Sequence, residues 1–121
     1  MMTSNPILVT VPAPNDVVVA WPDTPQQLFL LLPDAGQNPH DILAMAQRLA
    51  GTFTQGAVAI VAPPHSCDEG GEGFQWFSQR GEDDSNRVQR LQAAQPEFLA
   101  TVQAWQQRTG LPAERTALLA F

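Results

Sequence analysis

Lysine is absent from the sequence and cysteine occurs once, at Cys67. Six arginines are the only strong cations against 12 acidic residues, giving a net charge of −6. A chain with that balance and no basic cluster is repelled by phosphate backbones and by anionic lipid, which excludes nucleic acid as a natural partner. A lone cysteine forms no internal disulfide and fits a reducing compartment. Charged residues make up 15% of the sequence, against about 25% in an average domain. Thirteen glutamines take up the difference.

Long apolar runs are also missing. Nothing approaches the roughly 20 residues needed to cross a bilayer. The opening "MMTSNPILVTVPAPND" lacks the positive and apolar regions of a secretory signal. The reading is a soluble, cytoplasmic chain without a membrane span. Its 121 residues suit one domain, 1–121.

Within that domain the apolar residues are grouped by period. Residues 7–11 (ILVTV) and 17–20 (VVVA) are β-branched runs divided by a Pro-Asn-Asp turn. The run Gln27–Leu32 (QLFLLL) is apolar at five successive positions, the pattern of a strand covered on both faces. Asn38, Pro39 and Asp41 supply helix-start chemistry. Ile42, Met45, Ala46 and Leu49 then fall on one face, and Gly51 is expected to end the helix. Ala57–Ala62 repeats the buried-strand pattern.

The Gly-, Ser- and acid-rich segment from His65 to Asp84 reads as a long loop with a task. A second helix is expected from Ser85 to Arg108, with Val88, Leu91, Phe98, Val102 and Trp105 on one apolar stripe. Pro96 costs about 3 kcal/mol in a regular helix, so a kink or break is expected there. Gly110 and Pro112 end it, and "TALLAF" (Thr116–Phe121) is expected to be a further buried strand. Strand, helix, strand, helix, strand is the order of an α/β fold with a mostly parallel sheet.

Several side chains have a bland reading beside a functional one. His65 and Cys67 lack a third orienting group and a second ligand pair, so a loop histidine and loop thiol are expected in place of a nucleophile or metal site. Glu82, Asp83 and Asp84 lack the spaced oxygens of a calcium loop and instead favour the start of the second helix. No metal site is expected. His40 reads as solvated, and Phe98 and Trp105 as core.

Four stretches carry a family resemblance: "LFLLLPDAGQNP", "FQWFSQRG", "NRVQRLQ" and "PEFLATVQAWQQRTGLPAERTALLAF". Together they resemble the first half of an α/β-hydrolase of the bacterial phospholipase/carboxylesterase type, related to acyl-protein thioesterases. The resemblance implies the N-terminal half of that fold, with helices on both faces of the sheet and no cofactor. In such enzymes the strand equivalent to "TALLAF" runs into the nucleophile elbow, making Ala120 and Phe121 its run-in. The serine would come next, and the acidic and histidine members of the triad later still. The implied chemistry is hydrolysis of a small-molecule carboxylic ester or thioester through an acyl-enzyme, by a chain that lacks the triad and is inactive alone.

By position, the resemblance assigns the oxyanion-hole backbone donor to Ala35 and the substrate pocket to Trp76 and Phe77. Pro33 and Asp34 stand where the family has His and Gly. One oxyanion donor is worth about 3 kcal/mol. A carboxylate about 4 Å from the oxyanion would oppose it by roughly 4 kcal/mol at an effective dielectric of 20. Two other classes stay open: a non-catalytic remnant that self-associates through an exposed strand edge, and a nucleotide-binding α/β module. The latter wants a glycine-rich, lysine-bearing loop, whereas "PDAGQNP" has one glycine and no lysine.

Overall fold

The computed structural model describes residues 15–68, 73–78 and 80–121. The expected strand at 7–11 lies outside them. A four-stranded sheet has the order β1 (Val17–Ala20), β3 (Gly56–Ile60), β2 (Gln27–Leu32), β6 (Thr116–Ala120). β2 is parallel to both β3 and β6, whereas β1 runs antiparallel to β3 with a bulge between Val18 and Ala20. A two-stranded hairpin, β4 (His65–Ser66) with β5 (Phe74–Gln75), lies inside the segment expected to be loop.

The unbroken apolar run of β2 follows from its central position. Leu28 and Leu30 point to one face, with Ala57, Ala59, Val61 and Trp105, while Phe29 and Leu31 point to the other, with Ile42, Ala46, Val58 and Ile60. Fully burying such an aliphatic side chain contributes about 2 kcal/mol. The first face is covered by α2 (Arg87–Thr109) and the second by α1 (Leu43–Thr52), so helices lie on both sides of a mostly parallel sheet, the arrangement of an α/β-hydrolase half.

The start of α1 follows the expected chemistry. The Asn38 side chain accepts from the His40 N–H at 2.9 Å, and Asp41 accepts from the Asn38 N–H at 2.9 Å, a reciprocal capping box. This first turn, Pro39–Ile42, is a 3-10 helix that passes into α1. Gly51 does not terminate α1: the helix continues through Thr52, and the Phe53 N–H closes it on the Leu49 carbonyl. Met45, expected on the buried face, is 47% exposed.

Pro96 does not break α2, which is one helix of 23 residues. Pro96 is exposed, so the Gln92 carbonyl that loses its partner lies on the same solvent-facing side. Gly110, at φ +75°, closes the helix with its N–H on the Gln106 carbonyl. Along the expected stripe Trp105 is fully buried, but Val88 and Leu91 are 63% and 51% exposed and line a hollow with Trp76 and Phe77. β6 is paired along its whole length, yet it is not fully buried: as an edge strand it leaves Leu118 46% and Phe121 41% exposed.

Candidate active site

The C-terminal ends of parallel strands are where open α/β sheets place their ligand crevices. Here Leu32, the last residue of β2, lies opposite Ala120, and the Phe121 N–H donates to the Leu32 carbonyl at 3.1 Å. β6 therefore delivers Ala120 and Phe121 beside the turn that leaves β2. The buried Pro33 carries the chain out to Asp34, Ala35 and Gly36, all exposed.

The turn is held by its own polar groups. The Gln37 N–H donates to the Asp34 carbonyl at 3.0 Å, and the Asp34 N–H donates to the Gln37 side-chain oxygen at 2.7 Å. Gly36 sits at φ +85°, a conformation that any side chain would resist. The Ala35 N–H, 2.9 Å from Asp34 Oδ1, donates to the carboxylate of its own neighbour.

A second segment docks against this turn. The Gly36 N–H donates to the Phe74 carbonyl at 3.1 Å, which fixes β5 to it. Gly73 lies flat on Gly36, where any Cβ would overlap the Gly36 backbone. The chain then passes directly to Trp76, whose ring meets Phe98 of α2 edge-on at 5.4 Å. Trp76 and Phe77 line a hollow of about 410 Å³ whose opposite wall is α2, including Val88, Leu91 and Phe98. Ala35 does not line that hollow; β5 is the link between the two places.

Downstream, Asp68 accepts from Ser78 Oγ at 2.6 Å, and Arg90 Nη1 donates to the Ser78 and Arg80 carbonyls at 2.6 and 2.9 Å. The aromatic pair is thus anchored to α2 as well as to the turn. His65 pairs with Glu97 at 3.2 Å, not with Cys67. Among the described residues no group of three or more His, Cys, Asp or Glu is placed to hold a metal ion. Asp83 accepts from Ser85 and Asn86, and these bonds, the Ser85 hydroxyl first, hold its pKa below the ordinary aspartate value. Arg87 reaches Glu82 and Asp84 at 3.5 and 3.0 Å, so the acidic trio is engaged in starting α2.

Three features escaped the sequence reading. Gly73 carried no signal apart from its place in a glycine-rich stretch, and the β4–β5 hairpin is too short for periodicity to reveal. The third is Asp16, a buried carboxylate that accepts from the Ala62 N–H at 2.8 Å and from Trp105 Nε1 at 2.9 Å. Burial outweighs those two bonds and raises its pKa.

This geometry matches known proteins. The sequence is 37% identical over 107 residues to esterase YpfH of Escherichia coli (strain K12), across 86% of this chain and 45% of that protein. The structure matches esterase PE8 with a TM-score of 0.74 and 26% identity, across 82% of this chain and 47% of that one. The chain belongs to the α/β-hydrolase esterases. No protein-family model matches it. It spans about half the length of both relatives. No helix among the described residues is long and apolar enough to cross a membrane.

Proposed function

We propose that residues 1–121 are a single, incomplete α/β-hydrolase domain carrying the substrate-side half of a serine esterase. The observation that carries this is the Phe121 N–H to Leu32 carbonyl bond, which sets the end of β6 against the Pro33–Gly36 turn. In a nucleophile-elbow enzyme those two places hold the serine and one oxyanion donor. Ala35 supplies the backbone donor, Ala120 and Phe121 lead into the elbow, and Trp76 with Phe77 forms the pocket wall.

The reaction is attack of the serine hydroxyl on a carboxylic ester or thioester. The carbonyl oxygen takes the negative charge, the leaving alcohol or thiol departs with a proton, and water then releases the acid from the acyl-enzyme. The serine would lie just beyond Phe121 and the rest of the triad further on, so this chain alone is inactive. A phospholipase or carboxylesterase of the cytoplasm, taking small-molecule esters, fits the acidic surface and the single cysteine. Among the described residues one edge of β6 has no partner strand, which would favour self-association of the chain in isolation.

A fluorophosphonate probe and a short-chain p-nitrophenyl ester test the reading. Neither is expected to react with the 121-residue chain, and both are expected to react once the coding sequence past Phe121 is included. Labelling of the shorter chain would overturn the assignment of the nucleophile.

A further inference from the structure

A second pocket opens beside the turn. Asn15, Asp16, Asn38, Pro39, His40 and Phe74 line a space of about 280 Å³, and none of them belongs to α2 or to the aromatic hollow. Phe74 joins the pocket to the turn, since its carbonyl takes the Gly36 N–H at 3.1 Å. The volume lies just under the roughly 300 Å³ at which drug-sized ligands begin, so the space suits a smaller molecule.

The lining selects among small molecules by its hydrogen-bonding groups. Asp16 is only 7% exposed, and its two oxygens accept from the Ala62 N–H and from Trp105 Nε1. A carboxylate offers about four lone-pair sites, so this one still has room to accept from a ligand. At the mouth Asn15 and His40 are exposed, and among the described residues neither side chain makes a hydrogen bond. An amide and a neutral imidazole each donate and accept, as a hydroxyl does. Pro39 and Phe74 add carbon surface for the CH groups between hydroxyls. No lysine or arginine lines the pocket, and the neighbouring Asp41 is tied to the Asn38 N–H at 2.9 Å, so a phosphate meets carboxylates and no strong cation. An ammonium would find one carboxylate already shared between two N–H groups.

We propose that this pocket holds the alcohol part of the ester, and that the alcohol is a small neutral polyol such as glycerol, with Asp16, Asn15 and His40 taking its hydroxyls. The proposal rests on the esterase reading for the bond that joins this alcohol to the group reacting at the turn. It narrows that reading to esters of neutral polyols and away from phosphate-bearing ones.

The test has one arm without catalysis and one with it. In the first, the isotope-labelled 121-residue chain is titrated with glycerol, glycerol phosphate and ethanol and followed by NMR. Glycerol is expected to shift the Asn15 side-chain amide and the His40 ring saturably, and the other two to bind about tenfold more weakly, the scale of one lost hydrogen bond. Asn15→Ala and His40→Ala should each weaken glycerol by a similar factor. Both side chains are exposed and unbonded, so unfolding should not intervene, and a thermal melt checks this. In the second arm, the protein extended past Phe121 should prefer glycerol monobutyrate to ethyl butyrate, and the ratio of the two kcat/KM values should fall about tenfold in each variant. Shifts that spread over the surface without saturating, or a ratio unmoved in both variants, would overturn the proposal. Saturable glycerol binding by a chain whose extended form fluorophosphonate fails to label would sink the esterase reading and leave a polyol site, and labelling without saturable binding would sink the site alone.

Discussion

Asp16 and Trp105, 89 residues apart in sequence, share a buried hydrogen bond of 2.9 Å between the carboxylate and the indole N–H. The other carboxylate oxygen takes the Ala62 N–H at 2.8 Å, so one side chain ties the start of β1 to the end of β3 and to α2. An asparagine here has only one oxygen for the two donors, and its own N–H₂ would face one of them. Asp16→Asn is expected to cost about 2 kcal/mol, the scale of leaving a buried donor unsatisfied. Trp105→Phe should cost at least as much, since it strands the Asp16 oxygen and loses packing. Urea denaturation followed by circular dichroism checks both, and a change within error for Asp16→Asn would show that the clamp carries no stability.

The same carboxylate has a defined pH signature. Desolvation raises the Asp16 pKa above the ordinary 3.8, so the folded state holds the proton more tightly than the unfolded chain. Its contribution is therefore most favourable below 3.8 and is lost as pH rises through the raised value. Asp83 has the opposite sign: its lowered pKa supplies stability above the ordinary value that is lost as pH falls. The stability advantage of the wild type over Asp16→Asn should shrink as pH rises through that window. An advantage that grows with pH would mean that the two hydrogen bonds outweigh burial.

Much of this architecture is visible in the sequence. β2 was readable to the residue because a strand buried on both faces leaves five apolar positions in a row, and Asn38-Pro39 marks its helix start through local hydrogen bonds alone. What failed was whatever depends on distant neighbours. Val88 and Leu91 have the period of a core stripe, but no local signal says that nothing packs over them, and they stay exposed. Gly51 resembles a terminator, yet α1 runs on through Thr52 and closes with the Phe53 N–H on the Leu49 carbonyl. The proposed roles of Ala35, Ala120, Phe121, Trp76 and Phe77 rest on family resemblance. The Asp34 contact on Ala35 and the seat of Gly73 on Gly36 are three-dimensional facts with no sequence signature.

That seat separates two kinds of glycine requirement. Gly36 has open space where a Cβ would go, and only its φ of +85° resists substitution, whereas a Cβ at Gly73 would run into backbone. Gly36→Ala is therefore expected to cost about 1 kcal/mol and Gly73→Ala about 3 kcal/mol. The larger effect should come with loss of protection at the Gly36 amide in hydrogen exchange, because β5 is forced off the turn. Equal costs for the two variants would show that β5 is not seated on Gly36 in solution.

Under the proposed oxyanion role of the Ala35 N–H, Asp34 decides how well the turn can serve. Its Oδ1 already accepts the Ala35 N–H at 2.9 Å, so the proposed donor is occupied by a carboxylate of this chain. Two effects then act in the same direction: the oxyanion must displace that carboxylate, and the carboxylate repels it once displaced. Both are weakened because Asp34 is exposed to water and can swing away. In the protein extended through its serine, Asp34→Gly should raise kcat for a p-nitrophenyl ester about 10- to 100-fold and leave KM nearly unchanged, since the gain appears only when charge develops. Asp34→Asn removes the charge but keeps an oxygen that can hold the N–H, and should recover only part of the gain. A fall in kcat for Asp34→Gly would mean that the carboxylate, through its bond from the Ala35 N–H, orders the turn more than it blocks it.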